Sequence, residues 1–292
     1  MADVRPLSVH VEDLTGDDGG AFRILRVDAS AERHGAPVVL VHGMFTDRRF
    51  WLSKREVGLA AYLARAGHPV IAVQRRGLPD SPRCTRRRGL VEHLAHDLPV
   101  VARRVARSHE RPAFWIGHSF GGVLAARAIA TRLPSETVAG LVLLASQYEV
   151  GKRMLDRPGN LATKTIVRMR GHLPARAAGL GPVDEPAAAV FDACDWVERR
   201  HGPGFGAELA GIHAPTLAIS GAADRVDPSA GCRRFVESIA STDKTFWVAG
   251  KTQGFETDYD HPGIVVSKPA RREIWPRIAA WLAEHEPTAS PT

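Results

Sequence analysis

Apolar residues along the chain switch between continuous runs and helical spacing. Residues 37–41 and 69–73 are almost unbroken apolar runs, of the kind found in strands that are buried on both faces. Residues 57–66 and 90–105 instead repeat apolar positions at helical spacing, and residues 114–117 form another run. This alternation predicts βαβ units, and therefore a parallel sheet with helices packed on its faces.

A different pattern precedes these units. Residues 7–11 alternate apolar and polar side chains, and residues 21–27 follow an Asp/Gly-rich turn at residues 17–20, which predicts an antiparallel hairpin at an edge of the sheet. Further along the chain, the pattern predicts more helices and strands in alternation, at residues 123–133, 138–144, 215–220, 228–239, 245–248 and 271–283.

The alternation stops between residues 146 and 212, where the composition shifts towards proline, glycine and arginine. Two amphipathic pieces lie there, at residues 162–169 and 187–199. We predict a core made of residues 1–145 and 213–292, with one doubly wound and mostly parallel sheet, and a small cap or lid inserted as residues 146–212.

One strand-to-helix junction carries the pattern G-x-S-x-G, at Gly117, Ser119 and Gly121. A sharp turn there leaves no room for side chains before and after the serine, and it presents the hydroxyl beside the first amides of the helix. The sequence therefore predicts a nucleophile elbow, with Ser119 as the nucleophile and the N–H of Phe120 as an oxyanion donor. A tight turn that contains an incidental serine is the alternative.

A nucleophilic serine needs a base, which at neutral pH is usually histidine. Reacting groups in an open α/β sheet gather at the carboxyl ends of strands, and this leaves His42, His118 and His261 among thirteen histidines. We predict that His261 is the base, because it lies in a polar loop between the last strand and the last helix. We expect His118 to pack against its neighbours and His42 to hydrogen-bond the loop that follows it.

Two carboxylates follow the strand predicted at residues 215–220. Asp227 precedes Pro228 and a helical pattern, which predicts that it caps the helix. Asp224 has no such local use, so we predict that Asp224 orients His261 and stabilises its charged form.

A second oxyanion donor is expected in the loop after the first buried run. The N–H of Met44 is the predicted donor, since Gly43 lets this loop come close to the serine. Phe45 and Trp51 are predicted to line an apolar acyl pocket, and ordinary core packing is the alternative for both.

The order of these residues resembles that of the α/β-hydrolase superfamily over almost the whole chain. The resemblance lies in a strand that ends in His-Gly, in the elbow, in Gly221 followed by Asp224, and in a late histidine. It implies the α/β-hydrolase fold and a lipase, an esterase or a serine-aminopeptidase-like hydrolase. Serine at position 119 argues against the dehalogenase and epoxide-hydrolase branches, which carry aspartate there. Residues 74–80 differ from the aspartate-bearing loop of many relatives.

Composition and charge narrow the function further. The chain has 292 residues, of which 44% are hydrophobic and 24% charged, as in globular proteins. Its net charge of +7 is spread over short arginine clusters, so we predict no nucleic-acid partner.

Three widely spaced cysteines indicate no disulfide framework, and we expect no metal and no cofactor. Neither a secretion signal nor an apolar run of membrane-spanning length is found, which predicts a cytoplasmic protein.

The leading prediction is a cofactor-free serine hydrolase that cleaves a small-molecule carboxylic ester through an acyl-enzyme on Ser119. An acyltransferase, a thioesterase, a peptidase or a C–C bond hydrolase with the same triad is one alternative. In the peptidase version, Glu149, Asp184 and Glu185 are candidates for binding a substrate amine, and solvated surface carboxylates are the other interpretation. A ligand-binding protein on a hydrolase fold is the second alternative. The oligomeric state stays open.

Overall fold

A computed structural model describes residues 6–29, 35–151, 154–200, 202 and 206–287. The predicted core limits at residues 1 and 292 lie outside this part of the chain. The strands found in the described ranges are β1 (Leu7–Thr15), β2 (Ala21–Ala29), β3 (Val38–Val41), β4 (Val70–Gln74), β5 (Ala113–His118), β6 (Val138–Leu144), β7 (His172–Leu173), β8 (Glu185–Pro186), β9 (Thr216–Gly221) and β10 (Lys244–Ala249). The α-helices found there are α1 (Leu59–Arg65), α2 (Leu90–Glu92), α3 (Leu98–Ala106), α4 (Phe120–Thr131), α5 (Gly159–Arg170), α6 (Ala187–Arg199), α7 (Ser229–Glu237), α8 (Gly263–Val266) and α9 (Lys268–Glu284).

Eight strands form one sheet in the order β1-β2-β4-β3-β5-β6-β9-β10. The leading strand β1 pairs antiparallel with β2, and β2 pairs antiparallel with β4. Every other pairing in this sheet is parallel. The predicted fold class, a mostly parallel sheet with an antiparallel leading hairpin, is therefore confirmed.

The central strands are buried on both faces because helices cover both. Successive side chains of a strand point to opposite sides, so each strand contributes to two cores. Val39 and Trp115 pack on the face that carries α3 and α4. Leu40 and Phe114 pack on the opposite face, with α1 and α9. This arrangement explains why the strands are nearly continuous apolar runs in the sequence.

The segment between β6 and β9 contains α5, α6 and the two-stranded sheet of β7 and β8. Helices α5 and α6 pack together, and α6 also contacts α2 of the core. Both helices were indicated by their amphipathic pattern, whereas strands of two residues leave no periodicity to detect. The role of residues 146–212 as a cap stays a prediction.

In the described ranges, no helix is both long and apolar enough to cross a bilayer. The cytoplasmic location stays a prediction.

A buried ion network lies along the helical segment predicted at residues 90–105, which continues without a break from α2 through a π-helical turn into α3. Between α2 and α3 the chain forms a π-helical turn, where His93 Nδ1 lies 2.8 Å from Asp97 Oδ2. The completely buried side chain of Arg76 binds Asp97 and also donates to both oxygens of Asp18 in the leading hairpin turn. These bonds from Arg76 hold the pKa of Asp18 at about 2, below its ordinary value of 3.8.

We expect Asp18→Asn to destabilise the protein in a pH-dependent way. A carboxylate whose pKa is lowered by folding stabilises the protein fully above its ordinary pKa, and this stabilisation is lost as the pH falls through about 2. The variant should lose about 2 kcal/mol of unfolding free energy at pH 7 and about half as much at pH 3. Urea denaturation at both pH values measures the difference. Asp17→Asn, at an exposed neighbouring site, is the control, and an equal loss for Asp18→Asn at both pH values would contradict the expectation.

Candidate active site

Ser119 occupies the sharp turn between β5, which ends at His118, and α4, which begins at Phe120. Its backbone has φ 55° and ψ −132°, a conformation that residues other than glycine rarely adopt. The Ser119 N–H donates to Leu144 O at 2.9 Å, which ties the turn to the end of β6. The hydroxyl therefore stands at the carboxyl edge of the sheet.

The glycines around Ser119 are needed because backbone segments pass very close to one another. A Cβ on Gly121 would overlap the carbonyl oxygen of Val41, at the end of β3. A Cβ on Gly117 would overlap the backbone of Gly122. The G-x-S-x-G pattern thus follows from the steric limits of this turn.

His261 and Asp224 come from two different loops and are in contact. Nδ1 of His261 lies 2.8 Å from Oδ2 of Asp224. Because a carboxylate only accepts, Nδ1 carries a proton, and in the neutral imidazole Nε2 is then an acceptor. Oδ1 of Asp224 accepts the N–H groups of Val226 and Asp227, both at 2.8 Å, so the carboxylate is fixed from its other side. The catalytic roles of Ser119, His261 and Asp224 stay predictions.

The two other strand-end histidines have different surroundings. His118 Nε2 lies 2.9 Å from the backbone oxygen of His261, and its ring centroid is 4.6 Å from the His261 ring and 4.5 Å from the Phe50 ring. His42 is completely buried, and its Nδ1 lies 2.9 Å from Gly43 O. Burial, together with the nearby Arg75 cation, holds the pKa of His42 well below its ordinary value. His42 is therefore a neutral donor to the loop after β3, as expected.

The loop after β3 is anchored through the carbonyl group of Gly43. This oxygen accepts from Arg75 Nη2 at 3.1 Å and faces His42 Nδ1. Because N–H and C=O of a trans peptide point in opposite directions, the N–H of Met44 points away from these two groups. A Cβ on Gly43 would lie 2.9 Å from Ser119 Cβ, so the loop passes directly beside the serine.

A buried ion pair fixes the next residues of this loop. Glu185, in β8, accepts from both terminal nitrogens of Arg75, at 2.5 and 3.0 Å, and neither side chain is more than 3% exposed. Its Oε2 also accepts the N–H of Phe45 at 2.9 Å, while Phe45 has a φ of 61°. The interpretation of Glu185 as a surface carboxylate or an amine-binding residue is therefore corrected. Its partner is 110 residues away in sequence, so no local pattern could indicate it.

A cavity of about 750 Å³ opens beside Ser119 and His261. Its wall is mostly apolar, with contributions from the loop after β3, the segment between β6 and β9, and the Asp224 loop, through Phe45, Phe50, Met154, Leu155, Leu180 and Val226. Trp51 is not part of this wall. It is completely buried among core residues, and the neighbouring Phe50 ring faces the cavity in its place.

The side chain of Asp227 faces the serine, so the prediction that it caps α7 is wrong. Pro228 occupies the N-cap position of α7, and no side chain caps the helix. Asp227 is completely buried, with Oδ2 3.3 Å from Ser119 Oγ and Oδ1 2.6 Å from Gln147 Nε2. An aspartate before proline and a helix is typical of a cap, and the sequence carries no signal for this other orientation.

Within the described ranges, no three or more His, Cys, Asp or Glu side chains lie so that they could hold a metal ion.

The sequence of residues 38–284 matches the alpha/beta hydrolase family. The chain belongs to this family. No curated protein sequence matches this alpha/beta hydrolase.

Solved structures of lipases and esterases share the fold. A soluble variant of monoglyceride lipase from Saccharomyces cerevisiae is 15% identical, with 98% of each chain covered and a TM-score of 0.73. Monoacylglycerol lipase from Paleococcus ferrophilus is 20% identical, with 96% of this hydrolase and 100% of the lipase covered and a TM-score of 0.62. An esterase from Thermogutta terrifontis is 20% identical, with coverages of 95% and 100% and a TM-score of 0.62. At these identities the likeness shows the fold alone.

We expect Glu185→Gln to destabilise this alpha/beta hydrolase by about 3 kcal/mol or more, because breaking a buried ion pair from one side leaves an uncompensated charge. The introduced amide would have to place its NH₂ group against the Arg75 guanidinium or the Phe45 N–H. Chemical denaturation at neutral pH measures the loss. Asp184→Asn is the matched control, since its carboxylate is only partly buried and accepts from the Arg176 N–H. Equal stability of the two variants would contradict a structural role for the ion pair.

Proposed function

We propose that this alpha/beta hydrolase is a serine hydrolase that cleaves carboxylic esters. Ser119 is the nucleophile, His261 the general base and Asp224 the acid that orients it. The observation that carries the proposal is the 2.8 Å contact between His261 Nδ1 and Asp224 Oδ2, at the cavity on which Ser119 also opens. This contact leaves Nε2 of His261 free of the proton and able to accept one from the serine.

The reaction proceeds in two halves. Oγ of Ser119 attacks the ester carbonyl carbon while its proton passes to Nε2 of His261, and the imidazolium then gives that proton to the leaving alcohol. Water, activated by the same nitrogen, cleaves the acyl-enzyme and releases the acid.

The N–H groups of Met44 and Phe120 stabilise the oxyanion in both halves. Two observations support this choice of donors. The Gly43 carbonyl is anchored on Arg75, which turns the N–H of Met44 to the opposite side, and Phe120 is the first residue of the twelve-residue helix α4. The positive end of the helix dipole therefore lies next to the developing negative charge.

The substrate carries an apolar acyl chain, and residues 146–212 act as a cap that covers it. Support comes from the cavity wall, because Met154, Leu155 and Leu180 of that segment face the cavity on which Ser119 opens. A volume of about 750 Å³ is typical of sites for small organic molecules.

Replacing Ser119 by alanine should abolish ester cleavage. We expect the turnover number for p-nitrophenyl esters to fall by about 10⁶-fold, as for other enzymes that lose a catalytic serine. The variant should also lose covalent labelling by a fluorophosphonate probe, which intact-protein mass spectrometry detects. Full turnover by Ser119→Ala would reject the proposal, and an inert wild-type serine would favour a non-catalytic binding protein.

A series of p-nitrophenyl esters tests the apolar substrate. Each methylene that leaves water for the cavity contributes about 0.8 kcal/mol, so kcat/KM should rise about fourfold per added carbon from acetate upwards, until the cavity is filled. A flat or falling series would contradict an acyl pocket. Cleavage of amino-acid anilides in preference to these esters would instead support a peptidase.

A further inference from the structure

Two buried carboxylates approach the reacting groups, although a serine hydrolase needs one. Nδ1 of His261 lies 2.8 Å from Asp224 Oδ2 and 4.0 Å from Asp227 Oδ2. The same oxygen of Asp227 is 3.3 Å from Ser119 Oγ. The side chains of both aspartates are completely shielded from solvent. A buried negative charge is costly unless it is paired or hydrogen-bonded, and both oxygens of Asp227 have hydrogen-bond partners.

We propose that Asp227 is a second carboxylate of the active site, which accepts the Ser119 hydroxyl in the resting enzyme and stabilises the His261 imidazolium during the reaction. This inference rests on the proposed serine hydrolase function. It adds a residue beyond Ser119, His261 and Asp224.

The hydrogen bonds around Asp227 fit an ionised carboxylate. Gln147 uses both ends of its amide on Val150, since Oε1 accepts the Val150 N–H at 2.9 Å and Nε2 donates to the Val150 oxygen at 2.7 Å. These two bonds fix which end of the amide faces Asp227. Nε2 therefore donates its second proton to Asp227 Oδ1, while the serine hydroxyl donates to Oδ2. Both oxygens act as acceptors, and neither bond needs a proton on Asp227.

The proposed role of Asp227 in the reaction follows from its negative charge, which lies close to the positive charge that develops on His261. Before attack, the serine hydroxyl turns from Asp227 to Nε2 of His261, and its proton moves to Nε2 as Oγ bonds to the carbonyl carbon. Nδ1–H stays hydrogen-bonded to Asp224, so neither carboxylate takes up a proton. The positive charge that develops on His261 then faces two negative charges, which lowers the energy of the state in which the imidazolium exists.

Other groups around His261 do not reproduce this effect. His118 contacts the His261 ring from β5, and its Nε2 donates to the His261 backbone oxygen, so it offers the ring no negative charge. Arg225, from the same loop as the two aspartates, lines the cavity as an exposed cation. Among the described residues, Asp224 and Asp227 are the carboxylates that lie within 4.0 Å of His261 Nδ1, so removing the charge of Asp227 takes away one of these two anions.

Asp227→Asn is the test, because it removes the charge and keeps the shape. Asparagine can turn its oxygen to Gln147 Nε2 and its NH₂ group to Ser119 Oγ, which accepts. The measurement is the rate of Ser119 labelling by a fluorophosphonate as a function of pH, which needs no knowledge of the natural substrate. Loss of the Asp227 charge should move the acidic limb of this profile, where the labelling rate rises with pH, to lower pH by about one to three units. The plateau labelling rate should be about tenfold or more lower than that of the wild type.

A matched control removes a contact between α7 and the backbone of Asp227 without changing any charge. Cys232 Sγ donates to the backbone oxygen of Asp227 at 3.5 Å, and Cys232→Ala should keep the wild-type limb. If Asp227→Asn does not fold, as judged by thermal melting, Asp227→Ser replaces it and should give the same shift.

The outcomes separate the two proposals. If the acidic limb of the labelling profile stays at the wild-type pH in Asp227→Asn, or if Cys232→Ala shows the same shift, the proposed role of Asp227 is overturned. The proposed serine hydrolase function then still stands. A wild-type protein that is not labelled at Ser119 overturns both.

Discussion

The site depends on one backbone constraint, the positive φ of Ser119 at the turn between β5 and α4. Strands β3 and β5 pair in parallel with Val41 opposite Gly117, and the loop after β3 crosses the elbow closely because Gly121 has no side chain. The serine, the first amide of α4 and the loop of Met44 are thereby brought to one point. A side chain at Gly121 would separate them.

Hydrogen bonds and ion pairs of charged side chains, rather than apolar packing, fix the loops around Ser119. Arg75 anchors the Gly43 carbonyl and binds Glu185, which in turn accepts the N–H of Phe45. Such bonds are directional, and breaking one leaves a buried charge without a partner, so the loop has one well-defined position. The segment that carries Glu185 therefore holds the loop beside Ser119 through direct contact.

Much of the fold was predictable, because hairpin, parallel strands and elbow each leave a local pattern. Periodicity indicated the strands, and the steric needs of a tight turn singled out Ser119. Strand order then pointed to His261 and Asp224, which are indeed in contact. The orientation of Asp227 and the pairing of Glu185 were beyond reach, since both depend on partners that only tertiary packing brings near.

The two sides of the cavity differ in how freely they can change. On the elbow side, a side chain at Gly117 or Gly121 would overlap neighbouring backbone, and the Arg75–Glu185 pair is buried. On the other side, Met154 and Leu180 meet the cavity from a segment outside the main sheet, where their side chains contribute apolar surface and no hydrogen bonds. Selection for a new substrate can act on these positions while the elbow and its anchors are kept, which makes this wall the place to begin directed evolution of specificity.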